Sequence, residues 1–219
     1  MNLSRISIDS LNCVSAISGI EKATFYILTP MEPDTRWMTR KADDDIIETA
    51  NHFRTIDYAI DHTDTALSEA YIKQLHSILK TGTSSARKDW FAVGDYKKLP
   101  NEVGGHDTTA PEKVRQEMKR LIKAYNSIKA PSLEDIIDFH QRFEAIHPFQ
   151  EGNGRVGRLI MFRECLRHGI VPFIITDDLK MFYYRGLQNW PAIKGYLLDT
   201  CLTAQDMFKA LLKKFRIEP

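Results

Sequence analysis

The chain has 219 residues, 43% hydrophobic and 27% charged, with a formal net charge of +1. That is enough length for one domain with a continuous buried core, with at most a small N-terminal extension. The near-zero charge supplies no global attraction to nucleic acid or to an anionic membrane surface, so neither is expected as a partner. The three cysteines, Cys13, Cys165 and Cys201, lie far apart with no Cys-x-x-Cys pair, which argues against a disulfide framework or a zinc site and for reduced thiols in a cytoplasmic protein. No stretch approaches the roughly 20 apolar residues of a membrane span, and the N-terminus lacks a signal-like apolar run.

In chain order, Thr24 to Arg40 contains Pro30 and Pro33 and reads as a connector. Helical periodicity begins after Asp43-Asp44-Asp45, with Ile46, Ala50, Phe53, Ile56 and Ile60 at three- to four-residue intervals. After the polar run His62 to Thr65 the same spacing returns at Ile72, Leu75 and Leu79. Thr81 to Gly105 is rich in glycine, with Phe91, Val93 and Tyr96 alternating, and suggests a loop with a short hairpin. Pro111 opens a helix carrying Val114, Met118, Leu121, Ile122 and Tyr125. Ser132 with Asp135 forms a capping-box pattern ahead of Ile136, Phe139, Phe143 and Ile146. Val156, Leu159, Ile160 and Leu166 mark the next helix, closed by His168-Gly169. Leu197, Cys201 and Leu202 open a last helix running towards Phe215. The fold class is therefore all-α with a small β-hairpin, divided into an N-terminal segment, 1–42, and a helical domain, 43–219.

The chemistry concentrates in His147-Pro148-Phe149-Gln150-Glu151-Gly152-Asn153-Gly154-Arg155-Val156-Gly157-Arg158. Pro148 disfavours helical geometry at His147, so one helix should end there. A Gly-Asn-Gly turn at the next helix start can aim several backbone N–H groups at one anion, helped by the positive helix terminus. Arg155 and Arg158, three residues apart, share a face. Two guanidinium groups beside such a nest suit a polyphosphate. Glu151 is placed to hold a hard cation such as Mg²⁺, and His147 is a candidate general base. Gly152-x-Gly154-x-x-Gly157 also matches the dinucleotide-binding fingerprint, with Asp177 about 20 residues on. The helical period of Ile136 to Ile146 defeats that reading, because the fingerprint must follow a strand.

This segment resembles the signature of the Fic (filamentation-induced by cAMP) family, His-x-Phe-x-(Asp/Glu)-Gly-Asn-Gly-Arg-x-x-Arg, at every defining position. The resemblance implies a Fic-type helical bundle with a hairpin flap and a protein adenylyltransferase, moving AMP from ATP to a Tyr, Ser or Thr hydroxyl of a target protein. It implies His147 as general base, Phe149 as buried anchor, Glu151 as Mg²⁺ ligand, Gly152, Asn153 and Gly154 as phosphate cradle, and Arg155 and Arg158 as clamps on the outer phosphates. Glycine at 154, where phosphate-transferring relatives carry a bulkier basic residue, favours AMP transfer. Asn101, Glu102, Val103 and Gly104 resemble the flap that pairs with a target peptide, although Lys97 stands where the family prefers arginine. Tyr183-Tyr184 and Asn189 resemble the region framing adenine, so Tyr184 and Asn189 join the ATP-binding set; core packing is the competing reading of the aromatic pair.

Near the N-terminus, Ser18-Gly19-Ile20-Glu21 resembles a degenerate form of the family's inhibitory helix, with Ile17 and Lys22 departing from the motif. The resemblance implies that Glu21 pairs with Arg158 and restrains activity. His140, two helical turns before His147, reads as a packed helix residue. The target protein is unidentified, and self-modification is expected in vitro. Two other readings stand beside AMP transfer: transfer of another nucleotide or phosphate-containing group from the same site, and a nucleotide-sensing protein that hardly turns over.

Overall fold

The computed structural model describes residues 36–217, with side chains from Asp44 onward. Among them are seven α-helices: α1 (Arg36–Asp61), α2 (Glu69–Lys80), α3 (Pro111–Asn126), α4 (Leu133–Ile146), α5 (Asn153–Arg167), α6 (Lys180–Asn189) and α7 (Gly195–Lys214). The one hairpin pairs β1 (Glu102–Val103) with β2 (His106–Asp107), antiparallel, with Val103 opposite His106. The all-α expectation with a small hairpin therefore holds. Glu21 and Cys13 lie outside the described residues; Cys165 and Cys201 are buried free thiols.

Local signals explain most boundaries. Ser68 accepts from the Tyr71 N–H and caps α2. Pro111 sits in the first turn of α3, where its missing N–H leaves no bond unmade. Ser132 and Asp135 form the expected reciprocal box at the start of α4. Gly104 and Gly105 both have positive φ, 59° and 78°, the geometry of a two-residue turn that matches strand twist.

Three expectations are corrected. The helix expected to open at Asp43 begins at Arg36, so Arg36–Arg40 are helical rather than connector. The acidic run lies inside it, where Asp44 accepts from both the backbone and hydroxyl of Ser84. The alternation of Phe91, Val93 and Tyr96 is not a strand; Phe91 and Tyr96 are loop residues buried against the core. Finally, α1 does not bury the stripe begun by Ile46, which is 69% exposed. It buries Asn51, Thr55 and Ala59 instead. The reason is a polar obligation: the Asn51 amide donates to the carbonyls of Leu79 and Thr81, at 3.2 and 2.7 Å, satisfying groups that the end of α2 leaves open.

The core runs through Leu75, Leu79, Ile136, Phe139, Phe143, Phe149, Val156, Ile160, Leu197, Cys201 and Phe208. α5 lies at its centre and is buried on most sides. It carries a buried pair, Arg163 with Glu164, whose remaining valences are filled. Arg163 donates to the carbonyls of His62 and Thr65 in the turn after α1, and Glu164 accepts from the Tyr125 hydroxyl at 2.9 Å. This is how α5, which opens at the signature loop, is fixed to α1 and α3.

α6 and α7 meet at Gly186. A Cβ built there would lie 2.7 Å from the Leu197 Cα and 2.8 Å from its backbone nitrogen. Alanine would gain about 1 kcal/mol of helix propensity. Forcing two helix backbones apart costs ~1–3 kcal/mol, which wins. Gly186→Ala should therefore lower the midpoint of thermal unfolding, by about 2–4 °C for each kcal/mol lost, read by circular dichroism.

Candidate active site

The signature residues occupy the turn between α4 and α5. α4 ends at Ile146, as Pro148 dictates, and His147 takes a left-handed conformation with φ 51° while its N–H still reaches the Phe143 carbonyl at 2.9 Å. Gly152 turns the chain back with φ 83° and becomes the N-cap of α5. It has no side chain to cap the helix, so the first-turn N–H groups of α5 are left for a ligand.

Two side chains hold this turn closed. Phe149 is fully buried, its ring stacked on His76 with centroids 4.0 Å apart and planes 6° from parallel. Asn153, 1% exposed, accepts from the Phe149 N–H and donates to the Phe149 carbonyl, both at 2.7 Å. The Asn153 side chain is thus spent on closing the loop; what it can offer a phosphate is its backbone N–H.

His147 stands at the mouth, partly buried. Its Nδ1 lies 3.4 Å from the Glu144 carbonyl, so the ring proton belongs there and the Nε2 lone pair is the open one. Burial pushes its pKa down to about 4, the charge of Lys97 adds to that, and the Glu144 carbonyl opposes it. The ring is neutral at pH 7 and can accept a proton.

A chain of charges runs beside the cradle. Lys80, the last residue of α2 and 2% exposed, bonds Glu48 at 2.6 Å and Glu151 at 3.0 Å. Glu48 in turn holds Arg155 at 2.5 Å. Burial raises the Glu48 pKa, but the bonds from Arg155 and Lys80 outweigh it and hold the carboxyl below its ordinary value. Glu151 also accepts from the Ser85 hydroxyl at 3.2 Å. Arg158 turns the other way. It bonds the Tyr183 hydroxyl and lies under Gly154, where a Cβ would stand 3.1 Å from its Nη1. A residue larger than glycine at 154 would therefore press on the second arginine.

The flap is joined to the same turn from below. The Lys97 N–H donates to the Pro148 carbonyl at 2.9 Å, and its buried ammonium bonds Asn101 and Thr108, both at 2.6 Å. Burial lowers the Lys97 pKa to about 8. The Asn101 amide donates to the Phe149 carbonyl at 3.0 Å. Asn101 is consequently a root of the flap, while Glu102, Val103 and Gly104 are exposed. The flap tip reaches α6, where a Cβ on Gly104 would meet the Gln188 amide at 3.4 Å. Tyr184, one turn before Gln188 and 46% exposed, shares that face. Tyr183 is a core residue, 2.5 Å from His140 through its hydroxyl. Asn189 bonds back to the Arg185 carbonyl at 2.8 Å.

Sequence reasoning missed Glu48, Lys80 and Glu144 and gave Lys97 no role. Glu144 carried a signal, one helical turn before His147. Glu48 and Lys80 carried none, because only the packing of α1 on α2 brings them to the loop. His140 is buried among core residues as expected, and no group of three or more metal-binding side chains occurs among the described residues.

A family model for the Fic/DOC family matches residues 66–165, which span α2 through α5 and include the whole signature. Those residues match the Fic/DOC family. The protein adenylyltransferase Fic of Drosophila grimshawi is 29% identical over 155 residues, covering 68% of this chain and 32% of the relative, so the chain spans about a third of that protein's length. A Fic-domain-containing signalling protein of Bacteroides thetaiotaomicron superposes with a TM-score of 0.65 at 23% identity, covering 78% of this chain and 70% of that one. BepC, a translocated effector of Bartonella tribocorum solved with bound AMPPNP, gives a TM-score of 0.52 at 16% identity, covering 76% and 86%. These likenesses establish the Fic fold for the helices and hairpin described above.

The signature loop depends on Asn153. Asn153→Ala would strand the buried Phe149 N–H and leave the Phe149 carbonyl only the Asn101 amide. The expected loss is about 2–3 kcal/mol of stability, read as a lower midpoint in urea unfolding with an unchanged slope.

Proposed function

We propose that this Fic domain is a protein adenylyltransferase that moves AMP from ATP to a hydroxyl of a target protein. The observation that carries the reading is the join at His147. A neutral imidazole with an open Nε2 sits at one end of a turn whose other end is an uncapped helix start flanked by Arg155 and Arg158. An enzyme named protein adenylyltransferase among the relatives and an ATP analogue bound to BepC agree with it.

In this reading the N–H groups of α5's first turn hold the phosphates, with Arg155 and Arg158 on the outer ones. Tyr184 and the exposed face of α6 border the base, with Asn189 at the far end of that helix. Glu102, Val103 and Gly104 offer an open backbone edge along which a target segment adds as a strand. His147 Nε2 takes the proton of the target hydroxyl as its oxygen attacks the α-phosphorus; the new P–O bond forms as pyrophosphate leaves. Positioning and charge neutralisation supply most of the acceleration. Glu151 is a half-exposed carboxylate that belongs to no group of three or more metal-binding side chains among the described residues. That suits Mg²⁺ arriving on the nucleotide, with phosphate oxygens and water completing its shell. Bound there, the ion would neutralise phosphate charge.

The Glu48–Arg155 pair supports a second reading, a nucleotide-sensing domain with little turnover, since a phosphate must displace a carboxylate already seated on the clamp. Restraint by Glu21 acting on Arg158 would push behaviour the same way. Intact-mass spectrometry after incubation with ATP and Mg²⁺ separates the readings. An AMP-sized gain is expected in the wild type, larger in Glu21→Gly, and lower by about 10²–10⁴-fold in rate in His147→Ala. A panel of other nucleotides with cell lysate tests the remaining transfers. No gain with any nucleotide or lysate protein would leave the sensing reading.

A further inference from the structure

α4 carries two polar residues that the mechanism above does not use. Glu144 lies one turn before His147, and His140 lies one turn before Glu144. Glu144 Oε2 is 4.0 Å from His147 Nδ1, the nitrogen its own carbonyl already faces. Its other oxygen, Oε1, is buried without a hydrogen-bond partner, while Nδ1 of His140 is buried against the Gly157 backbone. Both atoms rest against Gly157 of α5. A Cβ there would lie 2.5 Å from Glu144 Oε1 and 3.0 Å from His140 Nδ1, so the close approach requires glycine. His140 continues to the Tyr183 hydroxyl, and Tyr183 to Arg158. The groups facing Glu144 are thus His140 from α4, His147 just beyond the end of α4, Arg158 from α5 and Tyr183 from α6, while Lys97 faces His147 from the root of the flap.

A buried carboxyl with an orphaned oxygen is costly, and a packed helix position would be filled more stably by an apolar residue. Burial raises its pKa to about 7, with Arg158 opposing, so it changes charge where His147 must work. A carboxylate 4 Å from an imidazole stabilises the cation that forms when the ring takes a proton.

We propose that Glu144 is the positioning residue of His147: its backbone carbonyl holds the ring proton on Nδ1 so that Nε2 accepts the target's proton, and its carboxylate balances the imidazolium. This rests on His147 being the general base. The proton balance is closed: the hydroxyl proton ends on Nε2, the Nδ1 proton stays, and the pair goes from a neutral ring beside a carboxylate to an ion pair.

The sign follows. Above neutral pH Glu144 is ionised and assists; below, it is protonated and does not. The wild-type rate at saturating Mg²⁺ and ATP should rise through neutral pH. Glu144→Gln should lose that inflection and fall at least ~10-fold at pH 8, with little change at pH 6 or in the KM for ATP. Glu144→Asp should keep an inflection, which a merely space-filling role would not require. Wild-type rates and an unchanged profile in Glu144→Gln would overturn the proposal. Carbon-detected NMR of glutamate-labelled, nucleotide-free protein tests the pair independently of turnover. One carboxyl titrating near neutral pH should vanish in Glu144→Gln and shift further upwards in His147→Ala, where no imidazole is left to share its charge. If no transfer occurs in any form, the general-base reading fails and this titration alone decides whether the two side chains are coupled; a carboxyl indifferent to His147 sinks the pairing.

Discussion

The geometry of the signature segment hangs on how Asn153 and Phe149 close one turn. The asparagine satisfies both backbone groups of Phe149, and the ring of Phe149 stacks on His76 in the core. A turn so short must expose its remaining backbone to one side, because its other side is filled with a phenyl ring and an amide. The direction of the open N–H groups at the start of α5 follows from that filling. So does the left-handed conformation of His147, which a non-glycine residue tolerates only when its surroundings hold it there.

Around the turn the charges are arranged in alternation, Glu151, Lys80, Glu48, Arg155. Each cation shares an anion with the next, which satisfies a lysine that is almost fully buried. The same alternation means that the nucleotide-free site is not an empty positive funnel. A polyphosphate and its cation would exchange partners within the chain rather than add charge to it.

How much of this was legible in the sequence follows the range of the interactions. Helix ends written in adjacent residues, such as Pro148 after His147 or Ser132 with Asp135, were readable, and so was the whole signature from His147 to Arg158. The hairpin was placed at its glycines, while the aromatic alternation before it was mistaken for part of a strand because burial of a loop residue leaves the same mark as burial of a strand residue. The face of α1 was misjudged because Asn51 is drawn inward by the open carbonyls of α2, a demand invisible from α1 alone. Lys80 and Glu48 gained their roles only from tertiary packing, at separations no local pattern records.

The roots of the hairpin carry one more mechanical implication. Asn101 and Thr108 are bonded to each other and to the Lys97 ammonium, and Lys97 and Asn101 are both tied to the carbonyls of the signature turn. The flap cannot swing as a free lid without tearing bonds at the signature loop. Its pivot is set at 101 and 108, leaving a lever only a few residues long, with a reach of about 3.3 Å per residue. Under the proposed pairing with a target segment, the peptide would be held at nearly fixed height above His147, and the length of its hydroxyl side chain would decide whether it spans the gap.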